Sequence, residues 1–462
     1  MEAPFSDYWM EYFDCRDCAQ GKVGDDNSRS LKLLENNDTV CQLRLEYKGC
    51  RTRIPLLKKT EDGYMAVYPH LTSFPKESEA FAIKINQIIA GHVGIRITEN
   101  RVFYLNRDYV RQDSLDLKEC FLLADTLCNR KNKMNKTIQQ CMDELDFDLD
   151  GLIEAVSSEL EKETPTVIQR SKNCTSGRRC PFYPECFDES KEPDNSILFL
   201  TTSQNKFRDY EKGIRYIHEI DSSQLDGFRL QYAQYIASQK GRFVDGWALF
   251  SWLHHIQTPI SYLDFEWDTF AIPPYRGMKP FDVLCFQYSL HIEREDEPLQ
   301  HLDFFEPNDC REAFIQSLLK NIPKTGTILV YNMEGAEKLR LQQLGEQFPE
   351  YKEALDALCA RMIDLSKPFE AGLFYDNRMR GHYSLKNVLP VFTDDYSYQQ
   401  LNIQDGLDAV YAYRSYEKAD RKQQMEIRDN IRNYCRMDTF AEYVVYHGLK
   451  EVEKEARECL TL

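Results

Sequence analysis

The sequence predicts an α/β protein whose C-terminal half is built on a mixed sheet flanked by helices. Three observations carry this expectation. From about residue 259 to 450, strand-like and helical runs follow in the order strand, hairpin, helix, strand, helices, an order typical of mixed-sheet α/β domains. Residues 327–331 form a short apolar run suited to a buried strand. Residues 30–125 mix strand and helix signals of their own, so the N-terminal half is predicted to be a separate α/β domain.

At 462 residues the chain exceeds one ordinary core. Texture divides it into an α/β domain over 1–190, a helical connector over 191–257 and a second α/β domain over 258–452, with the polar stretch 187–195 as a linker. Hydrophobic residues at 42% and charged residues at 29% are usual for a globular protein. No apolar run reaches the roughly 18 residues of a membrane span. The N-terminal MEAPFSDYWMEYFDC has neither the basic nor the apolar segment of a secretory signal, so a cytoplasmic protein is expected. Fifteen cysteines, an odd number, argue against a disulfide framework; local clusters read as metal ligands or core thiols. The net charge of −17 argues against coating nucleic acid by bulk electrostatics. An enzyme with a small basic channel remains compatible, because a carboxylate metal site adds negative charge by design.

In the N-terminal half, residues 53–58 and 64–72 are predicted to form a hairpin around Thr60-Glu61-Asp62-Gly63, followed by a helix over 77–90 and strands over 93–97 and 101–105. Residues 126–165 read as helical and charged, with a basic island of Arg130, Lys131, Lys133 and Lys136. Residues 205–256 read as connecting helices. Further on, 260–267 is strand-like, and 283–292 pairs with 301–305 across a charged turn. Asp309 is placed to cap a helix ending near Asn321. Helices are then predicted from Ala336, over 351–362 and over 384–391, and the closing helix over 423–450.

Three motifs carry candidate chemistry. In Leu263-Asp264-Phe265-Glu266, residues two apart on a strand share a face, so Asp264 and Glu266 project together while Leu263 and Phe265 enter the core. Two adjacent carboxylates repel unless a cation lies between them. An edge strand with a solvated acidic face gives the same pattern. In Tyr434-Cys435-Arg436-Met437-Asp438, positions four apart on a helix let the phenol and the carboxylate meet; an amphipathic surface helix is the alternative. Glu337 follows the strand end at Asn332 and the turn at Gly335, near a helix N-terminus, where an acid also compensates the helix dipole.

In chain order, with the Glu337 stretch between the other two, these motifs resemble the first, second and third exonuclease motifs of the DEDD superfamily, in its tyrosine-containing branch. Arg361-Met362-Ile363-Asp364-Leu365, Tyr383-Ser384-Leu385-Lys386 and the stretch Pro280-Phe281-Asp282-Val283 to His291 are similar to an uncharacterised bacterial family with an exonuclease-like domain of unknown function. The resemblance covers about residues 255–450. It implies an RNase H-like fold and a metal-dependent 3′–5′ exonuclease acting on DNA or RNA through two Mg²⁺ or Mn²⁺ ions. Asp264 would bridge the ions, Glu266 and Asp438 would bind one, Glu337 would act from an outer shell, and Tyr434 would position the attacking water. Lys386 is a candidate phosphate contact. The sequence departs from the family at the second motif, where the acid usually lies four residues after the Asn; here that position is Ala336, leaving Glu337 or Glu334. A catalytically inactive nucleic-acid-binding or scaffolding protein is the alternative.

Cys174, Cys180 and Cys186 lie in a short loop with almost no apolar core, and a bound metal would order it. Cys15 and Cys18 are the first candidates for a fourth ligand, ahead of Cys41 and Cys50. One upstream and three clustered downstream cysteines resemble the iron–sulfur staple of RecB-like nucleases related to Cas4. That implies a PD-(D/E)xK nuclease fold for the N-terminal domain and a [4Fe–4S] cluster, with Zn²⁺ the other metal reading. The family's catalytic positions read Pro55 and Tyr68-Pro69-His70 here, so that chemistry is expected to be lost. Arg170, Lys172, Arg178 and Arg179 would remain as a nucleic-acid surface.

Overall fold

The computed structural model describes residues 5–164, 166–175 and 179–460. Its contacts divide the chain into two units: Met1–Thr166 with Thr269–Asp282, and Val167–Asp268 with Val283–Leu462. Both are mixed α/β. Among the described residues no helix is long and apolar enough to cross a membrane.

The first unit is a six-stranded sheet of β1 (Ala19–Gln20), β2 (Thr39–Tyr47), β3 (Cys50–Lys59), β4 (Tyr64–Pro69), β5 (Ile97–Leu105) and β6 (Phe121–Ala124), in that order. β3 and β4 form the expected antiparallel hairpin. Helix α1 (Glu79–His92) then crosses over to place β5 parallel to β4. Pro55, inside β3, has no N–H to donate. In the facing strand Gln42 takes a φ of +55°, and the inward side shifts there. Ile54 and Leu57 join one core, while Leu56 joins the other with Cys15, Cys41 and Phe103.

Two predicted elements of this unit are corrected. The strands over 93–97 and 101–105 are one strand, β5. Residues 93–96 instead close α1, with Gly94 at a φ of +87° and the Ile95 N–H bonded to the Ala90 carbonyl. The helix expected from 126 is a hairpin of β7 (Thr126–Cys128) and β8 (Met134–Thr137). Its turn is held by Asn129, whose side chain accepts from the Lys131 and Lys133 amides, and by Asn132 at a φ of +61°. Helix α2 (Ile138–Glu144) follows, its start fixed by a Thr137–Gln140 capping box, and then α3 (Leu149–Leu160).

In the second unit, residues 205–256 contain α4 (Arg229–Lys240), α5 (Gly246–Leu253) and, between them, β9 (Arg242–Val244). This short strand pairs antiparallel with β15 (Phe374–Asp376). The main sheet has the order β12 (Gln300–Phe305), β11 (Val283–Glu293), β10 (Ile260–Thr269), β13 (Ile328–Val330), β14 (Met362–Asp364). β11 and β12 are antiparallel; β10, β13 and β14 run parallel. The first strand in sequence is therefore central.

Leu263 and Phe265 of β10 pack in one core with residues of α6 (Arg311–Asn321), α7 (Glu337–Gln347) and α8 (Lys352–Cys359). Asp309 does not cap α6. Cys310 occupies that position, and Asp309 accepts two 2.7 Å hydrogen bonds from Arg311. After α9 (Leu385–Phe392) and α10 (Gly406–Ser415), the chain ends in one helix of 40 residues, α11 (Arg421–Leu460). It packs on the sheet face opposite α6–α8. The Thr439 hydroxyl anchors it there, 2.7 Å from Ser289 Oγ and 2.8 Å from His291 Nδ1 on β11. Burial pushes His291 down to about 3, so the ring stays neutral in this contact.

Candidate metal centre

Strand alternation places Asp264, Glu266 and Asp268 on the β10 face that α11 covers. Asp268 is neutralised there by Arg414 of α10, through two hydrogen bonds of 2.7 Å. Among the described residues the first two acids have no such ion-pair partner. Instead they meet Asp438 of α11, and carboxylate oxygens of all three lie within 4.8 Å of one another.

Burial, and then the Asp438 charge, push the Asp264 carboxyl well above its usual range, and burial with Asp264 does the same to Glu266. Asp438 is pushed up to about 7 by burial, against the pull of Tyr398, Lys386 and Tyr434. Such a set suits a hard divalent cation, which prefers several anionic oxygens.

The third-motif residues behave as one helix face. Tyr434 and Asp438 both turn toward β10, and the Tyr434 hydroxyl is kept protonated by burial and by the neighbouring carboxylates. Between them Cys435 is fully buried, its Sγ 3.1 Å from Asp264 Oδ2. Lys386 is half-buried and lies over the rings of Tyr398 and Tyr434, at 5.4 and 5.3 Å, with its ammonium bonded to the Gln404 carbonyl.

The loop ahead of α7 sets which of Glu337 and Glu334 is buried. Asp364, at the end of β14, accepts from the Asn332 and Met333 amides at 3.0 and 3.1 Å, and Asn332 takes a φ of +67°. Glu337 emerges 1% exposed, under the influence of Asp264, while Glu334 is exposed and paired with Lys338.

Four residues of this centre escaped the sequence reading. Glu442 is 1% exposed, and burial, then the Asp264 and Glu337 charges, push its carboxyl well above the usual range; its signal was the same spacing of four that joins Tyr434 to Asp438. Asp364 appeared only as part of a resemblance, without its role. Cys435 lay inside the motif itself. Tyr398 gave no signal: it sits in a non-periodic segment and donates a 2.6 Å hydrogen bond to Asp438.

The cysteines behave differently. Cys15 and Cys18 belong to the first unit; Cys174, Cys180 and Cys186 belong to the second. Cys15 is fully buried in an apolar cluster beside Cys41, whose thiol faces the Cys15 carbonyl at 3.8 Å. Among the described residues, Cys174, Cys180 and Cys186 do not converge as a group of ligands in the way the three carboxylates do. Arg170 is an internal residue rather than a surface contact, ringed by Tyr183, Phe187 and Tyr210 and 4.0 Å from Glu192. Arg179 is spent on Glu189 and the Tyr183 ring. Lys172 is exposed, and Arg178 lies outside the described residues.

Fold and site together define an α/β protein with a buried carboxylate centre on the central strand of a mixed sheet. More particularly, residues 261–384 match a family described as a domain of unknown function, DUF2779. That segment holds Asp264, Glu266 and Glu337 and stops short of Tyr434 and Asp438. No curated protein and no solved structure matches the chain.

Proposed function

We propose that the second unit is an RNase H-like exonuclease of the DEDD kind, hydrolysing nucleic-acid phosphodiester bonds from the 3′ end with divalent metal ions. The observation that carries this reading is the meeting of Asp264, Glu266 and Asp438, from the first strand of the main sheet and the last helix of the unit, within 4.8 Å. A mixed sheet whose central first strand bears the acids supports it.

Asp264, Glu266 and Asp438 would hold Mg²⁺ or Mn²⁺, with Glu337 behind them. When bound, such ions supply an activated water at neutral pH and stabilise the leaving oxygen. Tyr434, held protonated, donates a hydrogen bond that orients the attacking water. Lys386, already facing the acids, moves from the Gln404 carbonyl to a phosphate oxygen of the strand. Asp364 holds the loop that delivers Glu337.

Purified protein with Mn²⁺ is expected to shorten an oligonucleotide carrying a label at its 5′ end, in a ladder from the other end, and Asp264→Ala is expected to stop this. Absence of cleavage on single strands, duplexes and RNA with either metal would refute the activity. A second reading, a nucleic-acid-binding protein without catalysis, is favoured by the Tyr398 hydroxyl already bonded to Asp438. Strand binding that survives Asp264→Ala, with no hydrolysis by either protein, would support it.

A further inference from the structure

Two of the triad's carboxylates are pinned on one side by the chain itself. Asp438 takes a 2.6 Å hydrogen bond from the Tyr398 hydroxyl on Oδ1. Asp264 takes one from the Cys435 thiol on Oδ2, at 3.1 Å, and the same Sγ lies 3.5 Å from the Asp264 carbonyl oxygen. Glu266, by contrast, is acted on by burial and by charges alone. Each aspartate therefore keeps one oxygen clear of these two donors, while Glu266 keeps both.

The fold holds the donors where they are. Cys435 is fully buried on α11, three residues ahead of Asp438. Tyr398 is 8% exposed and comes from the segment between α9 and α10. Ser397 accepts from the Gln399 amide at 3.2 Å in the turn that carries it. Beyond that turn, Asn402 donates to Asn430 of α11 at 3.0 Å, and the Gln404 carbonyl accepts from the Lys386 ammonium. Asp405 then caps α10 through the Asp408 amide at 2.9 Å. Lys386 also lies over the Tyr398 ring, at 5.4 Å. Of the groups that draw on Asp438, Tyr398 is the strongest and Tyr434 the weakest.

What such pinning does to a cation follows from coordination. Ca²⁺ is large, gathers roughly six to eight oxygens and readily takes both oxygens of one carboxylate. Mg²⁺ demands a tight octahedron, keeps several waters and uses carboxylates sparingly. A carboxylate with one oxygen already engaged suits the second ion better than the first.

We propose that Tyr398 and Cys435 are specificity-determining residues: by engaging one oxygen each of Asp438 and Asp264, they bar two-oxygen chelation by these aspartates and shift the site from Ca²⁺ toward Mg²⁺ or Mn²⁺. This rests on reading the triad as a metal centre, and it holds with or without hydrolysis.

The test is competition on the full chain, with bound Mn²⁺ as the reporter. Free Mn²⁺ is read from its electron paramagnetic resonance signal while Mg²⁺ or Ca²⁺ displaces the bound ion. The quantity measured is the ratio of the Ca²⁺ to the Mg²⁺ concentration that releases half of the Mn²⁺. Tyr398→Phe keeps the ring and drops the donor; it is expected to lower this ratio by about tenfold, with Mn²⁺ affinity itself moving less. Cys435→Ala, the independent second variant, is expected to lower it by about threefold, because a thiol is a weak donor. Cys435→Ser restores a donor and is expected to return the ratio to the wild-type value. Lys386→Met removes a charge that acts on all three acids but frees no oxygen, so both ions should respond alike. A ratio within about twofold of wild type in both Tyr398→Phe and Cys435→Ala overturns the proposal. An equal shift in Lys386→Met also overturns it, since charge would then be the cause. Either result in a chain that binds Mn²⁺ sinks this inference alone; a wild-type chain that binds no ion sinks the metal-centre reading with it.

Discussion

Two ends of one strand carry the same residue types and meet opposite fates. On β10 the acids at 264, 266 and 268 share a face and a spacing. Asp268 is held by the Arg414 guanidinium, whereas Asp264 and Glu266 are packed against another acid, Asp438. The difference teaches that burial and spacing do not tell a neutralised acid from one left against its own kind; the partner does. A neutralised carboxylate holds the fold together. A carboxylate buried against its own kind stores repulsion that a cation relieves.

That contrast can be broken or sharpened experimentally. The largest effect is expected from Asp264→Asn, which should lower oligonucleotide hydrolysis by about 10³-fold or more while the fold survives. Asp268→Asn, which keeps Arg414 company as a neutral amide, should stay within about tenfold of wild type. Equal losses in the two variants would erase the distinction.

Next in size is the response to metal. Mn²⁺ at about 100 times its dissociation constant should stabilise the wild-type chain by about 2.7 kcal/mol over EDTA. Calorimetry should find that gain intact in Asp268→Asn and largely absent in Asp264→Asn. Arg414→Met should cost about 2 kcal/mol by urea unfolding, with Mn²⁺ affinity unchanged, because its work is structural. Smallest is Tyr398→Phe. Losing one hydrogen bond to Asp438 should change Mn²⁺ affinity by about tenfold or less; no change at all would place Tyr398 outside the site's workings.

Much of the centre was legible because two periodicities make it so. A spacing of two on a strand aligned Asp264 with Glu266, and a spacing of four on a helix aligned Tyr434 with Asp438. The same rule reached Glu442, which lies one further step along α11, but a single acid in a charged helix carries no mark of burial. Asp268 has the spacing of Glu266, and its separate role depends on Arg414, far away in sequence. Tyr398 arrives from a segment without periodicity, so only the folded chain places it. Glu334 and Glu337 could not be told apart because each residue by which a helix start shifts turns its face by about 100°; the Asp364 contacts with the loop amides set which of them is buried. Elsewhere the hairpin at 126–137 was hidden by its lysines, which look alike on a helix and on an exposed strand. The mixed α/β class itself was plain, since alternating strand and helix signals survive such local errors.

The 40-residue helix α11 has one more consequence. Tyr434, Asp438 and Glu442 hang from a single rigid rod with no hinge between them. They cannot be retuned one at a time by backbone motion. If the rod slides or tilts off β10, the Tyr434 hydroxyl and the Asp438 and Glu442 carboxylates leave the strand acids together, and if it settles back they return together. Anything that levers this helix, even far from the acids, would act on the centre as an all-or-none release.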